Sequence, residues 1–292
     1  MIIVKLRGGL GNQMFQYAAG KAVANRVNVP LKLDITYFET HKLRSYKLGY
    51  FNILENFASI EEINRFMPRY KHIAASYYYK IRAKLLPWYR QKLIKERSFS
   101  YNSDIIKINR SAYLDGYWQS EKYFEDISDI IRCEFTLKHK PNSLNSQFLE
   151  KIDNVNSVSL HIRRGDYINN PDTFNIHGVL NLDYYKNALN FITKEVKDSN
   201  IFVFSDDIEW VKENLNTTLP LNFIDHNKDG QDYEDLRLMS RCKHHIIANS
   251  AFSWWGAWLS GYPKKIIFAP KNWFSNYDLD TKDLIPEDWR KI

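Results

Sequence analysis

Cysteine is nearly missing from this chain: there are two in 292 residues, Cys133 and Cys242, far apart and in no paired motif. This excludes a disulfide framework or a cysteine-built zinc site and fits a reducing compartment. No run of 18 uninterrupted apolar residues occurs, so no transmembrane span is expected. The start, MIIVKLRGG, enters a strand-like pattern directly, without a cleavable apolar leader. A cytoplasmic, bacterial protein is the expectation. Two common phosphate loops are also missing, since RGGLGNQ has neither the GxGxxG spacing nor the Lys-Ser/Thr pair of a P-loop. Nor does charge of one sign dominate: 41 basic against 34 acidic residues leaves +7. That balance favours a phosphorylated or otherwise anionic partner without singling out nucleic acid.

What is present is an ordinary globular composition, 44% apolar and 26% charged, with a high aromatic share of 15%. Aromatic surface suits sugars and flat rings; core filling accounts for it equally. The length lies where single cores begin to split, and two domains are expected.

The chemistry concentrates in SVSLHIRRGDY, Ser157 to Tyr167. Along a strand Val158, Leu160 and Ile162 share one face, while Ser159, His161 and Arg163 share the other. His161 and Arg163 therefore look into one crevice, Gly165 marks the turn, and Asp166 leaves the strand beside two guanidinium groups.

Around this centre the chain alternates. Ile2 to Leu6 reads as a strand, followed by the glycine-rich loop with Gly8, Gly9 and Gly11, a helix from about Asn12 to Val27, and a strand from Leu31 to Ile35. The loop permits close backbone approach to a ligand and puts a free Asn12 amide near the helix start; a purely structural turn is an equal reading. Ser59 and Glu62 form a capping-box signature. From Arg65 to Arg97 there are ten Lys or Arg and one acid, Glu96, interleaved with Tyr and Trp. A membrane-surface patch and a solvated helical face both fit, and no nucleic-acid reader motif accompanies the charge. Ala112 to Asp115 reads as a strand, and the following residues as a helix reaching about Cys133. Asp115, Tyr117, Trp118 and Gln119 make either a sugar-holding group or a turn with core aromatics. The polar stretch KHKPNSLNS, 138–146, reads as an interdomain boundary.

Beyond it five strands alternate with helices: strands 157–162, 201–204, 221–224, 245–248 and 265–268, with helices 184–197, 208–215, 233–241 and 253–260. A doubly wound parallel sheet follows, with ligands at the carboxyl ends of its strands. At those ends stand HIRRGD, then Ser205, Asp206 and Asp207, then Asp225, then Asn249, Ser250, Ala251, Phe252 and Ser253. A helix opening at Ser250 or Ser253 offers free N–H groups to a phosphate. Trp254, Trp255 and Trp258 read as packing.

Together these residues outline a nucleotide diphosphate site. Arg163 is placed on the leaving group and Arg164, on the opposite face, is a brace. The acids of SDD either accept ribose or base hydrogen bonds or bind a metal, and the former is preferred because positive charge is already supplied. Asp278 and Asp280 form a second DxD pattern, read as a solvated turn.

RGGLGNQMFQYAAG, DGYWQSEKYF, HIRRGDY, FVFSDD and YEDLRLMSRCKHHIIANSAFSWWGAWL together resemble glycosyltransferase family 11, the bacterial and animal α-1,2-fucosyltransferases. The resemblance implies an α/β protein of the GT-B fold, with two facing Rossmann-like domains and a cleft between them. Residues 1–145 would be the acceptor-side domain, 146–270 the GDP-sugar domain and 271–292 a tail. It implies GDP-L-fucose as donor and inverting transfer to the 2-hydroxyl of a terminal galactose, with no metal and no cofactor. On this footing His161, Arg163, Ser205, Asp206, Asp207 and Asn249 to Ser253 meet the nucleotide, while Gly9, Gly11 and Asn12 face the fucose. Arg163, Asp166 and Asn12 are the candidate catalytic residues; Asp166 is either the general base or a salt-bridge brace. Asp115, Tyr117 and Trp118 are candidate acceptor contacts. The expected acceptor is a galactose-terminated glycan, such as an O-antigen or capsule unit on a lipid carrier. Residues 65–97 would then give peripheral contact with the inner face of the membrane.

Overall fold

The computed structural model describes residues 1–41, 43–67, 86–165, 174–175, 178–228, 230–275 and 279–292. Asp166, Asp278 and residues 68–85 of the basic segment lie outside them. The chain forms two compact α/β units. Unit 1 comprises Met1–Thr136 with Lys282–Leu284, and unit 2 comprises Leu137–Thr281 with Ile285–Ile292.

Unit 1 is organised by β1 (Ile2–Lys5), whose apolar run is buried because it lies between two parallel neighbours. The sheet order is β2-β1-β4-β3, with β2 at Leu31–Asp34, β3 at Leu93–Lys95 and β4 at Ala112–Asp115. Helix α1 (Leu10–Val27) crosses from β1 to β2 and is buried along most of its length. Gly20 makes that packing possible, since a Cβ there would stand 3.0 Å from Val4. The helix starts two residues before the expected Asn12, with Gly9 as its N-cap. A short helix α2 (Tyr37–Thr40) follows β2. The capping box is present: Ser59 and Glu62 close the start of α3 (Ile60–Phe66) reciprocally. The helix expected directly after β4 is broken. Trp118 takes a left-handed φ of 57°, two 3-10 turns follow at Glu121–Tyr123 and Glu125–Ile127, and α4 begins only at Ser128, running to Glu134.

Unit 2 is a six-stranded parallel sheet in the order β10-β9-β8-β5-β6-β7. The strands are β5 (Asn156–Ile162), β6 (Ser199–Ser205), β7 (Leu221–Ile224), β8 (His244–Ile246), β9 (Ile267–Ala269) and β10 (Arg290–Lys291). Connecting helices are α5 (Ser143–Asn154), α6 (Leu182–Glu195), α7 (Ile208–Asn214), α8 (Asp232–Arg241) and α9 (Ala251–Leu259). The chain builds outward from β5 through β6 to β7, returns to the other side of β5, and builds outward again through β8 to β10. Val158, Leu160, Ile162, Ile201 and Val203 pack on α6 on one face, while Phe202, Phe204 and Leu238 cluster on the other.

Two boundaries differ from expectation. The units divide at Thr136/Leu137 rather than at 145/146, because 143–146 is the first turn of α5, capped by the Asn142 side chain accepting from Asn145 N–H at 2.8 Å. Residues 271–292 are no separate tail. Arg290 and Lys291 pair with Phe268 and Ala269 as a sixth strand, and Asp283 in unit 1 accepts from Tyr101 N–H at 2.9 Å and Lys122 Nζ at 2.8 Å. Trp254, Trp255 and Trp258 are core, and Trp289 packs 5.3 Å from Trp254.

Candidate active site

In unit 2 the switch point falls between β5 and β8, where the chain reverses its direction of growth. Carboxyl ends flanking such a point diverge into a crevice, the usual ligand position in this fold. His161 and Arg163 end β5, and Asn249 to Ser253 follow β8. The two sequence clusters therefore meet: the His161 ring centroid lies 5.7 Å from that of Phe252.

His161 is buried, and its Nδ1 has no hydrogen-bond partner among the described residues. Burial first, and the Arg163 guanidinium second, push the imidazole down to about 3 against the opposing pull of Asp206. The ring is neutral at physiological pH, so it brings one donor and one acceptor to the crevice and no charge.

The acids after β6 hold the arginines. Arg163 Nη1 lies 3.2 Å from Asp206 Oδ2, and Arg164 backbone N–H donates to Asp206 Oδ1 at 2.8 Å. Gly165 makes this turn possible, since a Cβ there would stand 2.7 Å from Asp206 Oδ2. Arg164 Nε donates to Asp207 Oδ2 at 3.4 Å, and its guanidinium lies 3.4 Å from the Trp210 ring centroid. Asp207 N–H in turn donates to Ser205 Oγ at 3.0 Å. Asp206 and Asp207, read from sequence as acceptors for ribose or base, are thus engaged with arginines and fix a turn. Asp225 is paired with Lys212 at 3.0 Å and belongs to the surface.

At the other flank Ser250 is the N-cap of α9, its Oγ accepting from Phe252 N–H at 3.4 Å. Ser253 is buried, and its hydroxyl donates to Ser250 O at 3.3 Å. Asn249 is buried and donates to Trp273 O at 3.2 Å. Ala251 and Phe252 are half-buried. The first-turn N–H groups and dipole of α9 therefore end beside a crevice that also carries a guanidinium.

In unit 1 the adjacent parallel strands β1 and β4 bring RGGLGN and DGYWQ to the same edge of the sheet. Gly8 has φ 78°, and a Cβ there would stand 2.6 Å from Asn12 Nδ2. A Cβ on Gly9 would meet open space, and Gly11 is buried in the first turn of α1. The Asn12 amide is held rather than free, its Oδ1 accepting from Gln119 Nε2 at 2.7 Å. Gln13 pins the loop by donating to Gly8 O at 3.0 Å and Ser45 O at 2.9 Å.

Two residues that sequence reasoning passed over belong here. Arg7 Nη1 lies 3.3 Å from Asp115 Oδ1, and its guanidinium lies 4.6 Å from the Tyr117 ring centroid. Glu96, at the end of β3, accepts from Tyr117 N–H at 2.6 Å and Trp118 N–H at 2.9 Å. Burial raises its pKa despite those donors. Arg7 carried a signal, being the first polar residue past a buried strand; Glu96 was hidden as the lone acid in a basic segment. Trp118 is corrected as an acceptor contact. It is wholly buried, 6.3 Å from Trp88 and 5.4 Å from Tyr123 between ring centroids, and so is core. Asp115 and Tyr117 are partly exposed.

The Glycosyl transferase family 11 description matches residues 1–292. The chain is 35% identical over 300 residues to an alpha-1,2-colitosyltransferase of Escherichia coli, covering 100% of this chain and 99% of that protein. It is 33% identical over 291 residues to the O-antigen biosynthesis glycosyltransferase WbnK of Escherichia coli, covering 92% and 94%. Among solved structures, the fucosyltransferase NodZ from Bradyrhizobium has TM-score 0.52 at 15% identity over 91% of this chain and 94% of its own. NodZ alpha-1,6-fucosyltransferase soaked with GDP-fucose has TM-score 0.51 at 15% identity over the same shares, 91% and 94%. At such identity the likeness shows the fold alone, here GT-B. The chain belongs to glycosyltransferase family 11, and it is a glycosyltransferase.

Proposed function

We propose that this enzyme transfers L-fucose from GDP-L-fucose to the 2-hydroxyl of a terminal galactose in a bacterial surface glycan such as an O-antigen or capsule unit. The observation that carries the donor half is the meeting of Arg163, His161 and the Ser250-capped start of α9 at the switch point of unit 2. As the bond between sugar and diphosphate breaks, negative charge grows on the phosphate oxygens. A guanidinium held by Asp206 and a helix N-terminus meet that charge without reorganising. Neutral His161 orients the nucleotide through a single hydrogen bond.

The reaction is a single inverting displacement with no covalent enzyme intermediate, and Asp166 takes the proton of the acceptor hydroxyl. No metal is required, because the positive charge comes from Arg163 and α9 while Asp206 and Asp207 serve the arginines. The names of the two bacterial relatives support a 2-linked deoxy sugar and an O-antigen glycan. Among the described residues no helix is long and apolar enough to cross a membrane. Approach to a lipid-carrier-linked acceptor is assigned to residues 65–97, from the cytoplasmic side, with no role for nucleic acid. Sedimentation with anionic vesicles would reveal that approach.

A second donor is favoured by the full-length match to a colitosyltransferase: colitose is fucose without its 3-hydroxyl. The test is to incubate the pure protein with lactose and either GDP-fucose or GDP-colitose, follow GDP release, and assign the product linkage by NMR. An α-1,2-fucosyl product supports the proposal. Turnover with GDP-colitose alone transfers it to the second donor, and a product of another linkage overturns the acceptor position.

A further inference from the structure

We infer that Lys265, outside the crevice, strengthens the hold of unit 2 on the donor diphosphate by setting its positive charge against the far end of α9. It is a positioning residue, acting through the helix and touching no substrate. The inference rests on the donor reading above, in which the start of α9 meets the phosphates. A second observation marks that start as a ligand end. Buried His161, whose Nδ1 has no hydrogen-bond partner among the described residues, stands 5.7 Å from Phe252 in the first turn of the helix, between ring centroids.

The last carbonyls of an α-helix have no partner inside it and carry the negative end of its dipole. Lys265 Nζ donates to Ala257 O at 3.1 Å, to Trp258 O at 3.4 Å and to Ser260 O at 2.9 Å, so one ammonium group closes the end of α9. The helix has no basic residue in its last turn and no acid in its first. It therefore takes its closing charge from outside itself, and its first turn supplies no carboxylate to cancel the field that a phosphate would meet. The turn into β9 brings Lys265 there, its own N–H donating to Tyr262 O at 3.3 Å.

Between the two ends the helix is dry and fixed. Trp254, Trp255 and Trp258 are buried, and a Cβ on Gly256 would stand 2.5 Å from Met239 Sδ, so α9 is packed closely on α8. Charges interacting through such an interior are screened far less than on a surface. The field of Lys265 is already felt there: burial first, and Lys265 second, hold the His245 imidazole well below its ordinary value. With 9 residues in α9, each rising about 1.5 Å, the ammonium acts on the first turn across roughly 13 Å.

The test is calorimetric binding of guanosine, GMP and GDP to the full chain, in wild type, Lys265→Gln and Lys265→Arg. Glutamine keeps a donor for the carbonyls and loses the charge; arginine keeps both. The preference for GDP over guanosine is expected to fall about fivefold in Lys265→Gln, the scale of one charge acting over roughly 13 Å at an effective dielectric constant of about 20. GMP should lose less, guanosine nothing, and Lys265→Arg should bind as the wild type does. A purely structural cap would weaken all three ligands alike. An unchanged preference in Lys265→Gln, or the same loss in Lys265→Arg, overturns the inference while the donor reading stands. Should Lys265→Gln not fold, Lys265→Met is measured by the same ratio. A wild type that binds guanosine as tightly as GDP overturns the diphosphate reading, and the inference falls with it.

Discussion

Acidification should weaken the fold through His161, by an amount that its surroundings set. The imidazole is held down to about 3 in the folded chain, against an ordinary unfolded value of about 6.5. A depressed folded pKa means that the unfolded chain binds the proton first. The contribution of neutral His161 is therefore intact above the unfolded value and is lost as pH falls from there towards 3. Between about pH 7.5 and 5.5 the linkage relation gives a loss of about 1.4 kcal/mol from this group alone. Other buried histidines and paired acids act in the same direction, so the measurement must be differential. Urea unfolding of wild type and His161→Asn, followed at both pH values by tryptophan fluorescence, isolates the term. The variant is expected to be less stable at the higher pH, because it leaves a smaller side chain in a packed site. Its further loss on acidification should be smaller than that of the wild type by about 1.4 kcal/mol. Equal losses in both proteins would refute the assignment of a buried, neutral His161.

Arg163→Ala should lower kcat by about 10²–10³-fold with an unchanged circular dichroism spectrum, on the scale of losing one preorganised donor; near-wild-type turnover would remove Arg163 from the leaving group. Activity should survive excess EDTA, and an absolute Mn²⁺ requirement would overturn the reading of Asp206 and Asp207 as arginine partners. Gly8→Ala should cost about 1–2 kcal/mol for a side chain at positive φ, plus displacement of Asn12, read as a lower Tm. An unchanged Tm would contradict the loop geometry. In Asp166→Asn the rate should fall and the acidic limb of its pH profile should vanish; an unchanged profile would exclude proton transfer by Asp166.

The meeting of His161, Arg163 and the start of α9 could be read from the sequence because its parts are local. Alternation along a buried strand puts His161 and Arg163 on one face, and a serine after an apolar strand announces the start of α9. Parallel-sheet topology then joins them with no further information. What escaped depends on contacts between distant segments. Glu96 meets Tyr117 and Trp118 only because β3 lies beside β4, with Lys95 opposite Asp115. The helical pattern after β4 was overridden by that same contact, which holds Trp118 in a left-handed conformation. β10 is two residues long, too short for any periodicity to reveal, and depends on pairing with β9. Asn142 and Ser143 looked like linker because capping residues and loop residues are the same amino acids.

The return of the chain to unit 1 at Lys282–Leu284 has a consequence for the order in which the protein can be made. Synthesis delivers the four described strands of unit 1 by residue 115, yet the carboxylate that receives Tyr101 N–H and Lys122 Nζ arrives only with Asp283. Until then the nascent unit holds a backbone donor and an ammonium group without that acceptor, while β9 waits with an open edge for residues 290 and 291. A ribosome stalled before residue 283 would therefore carry two nearly complete units, neither of them closed. Residues 283–291 finish both.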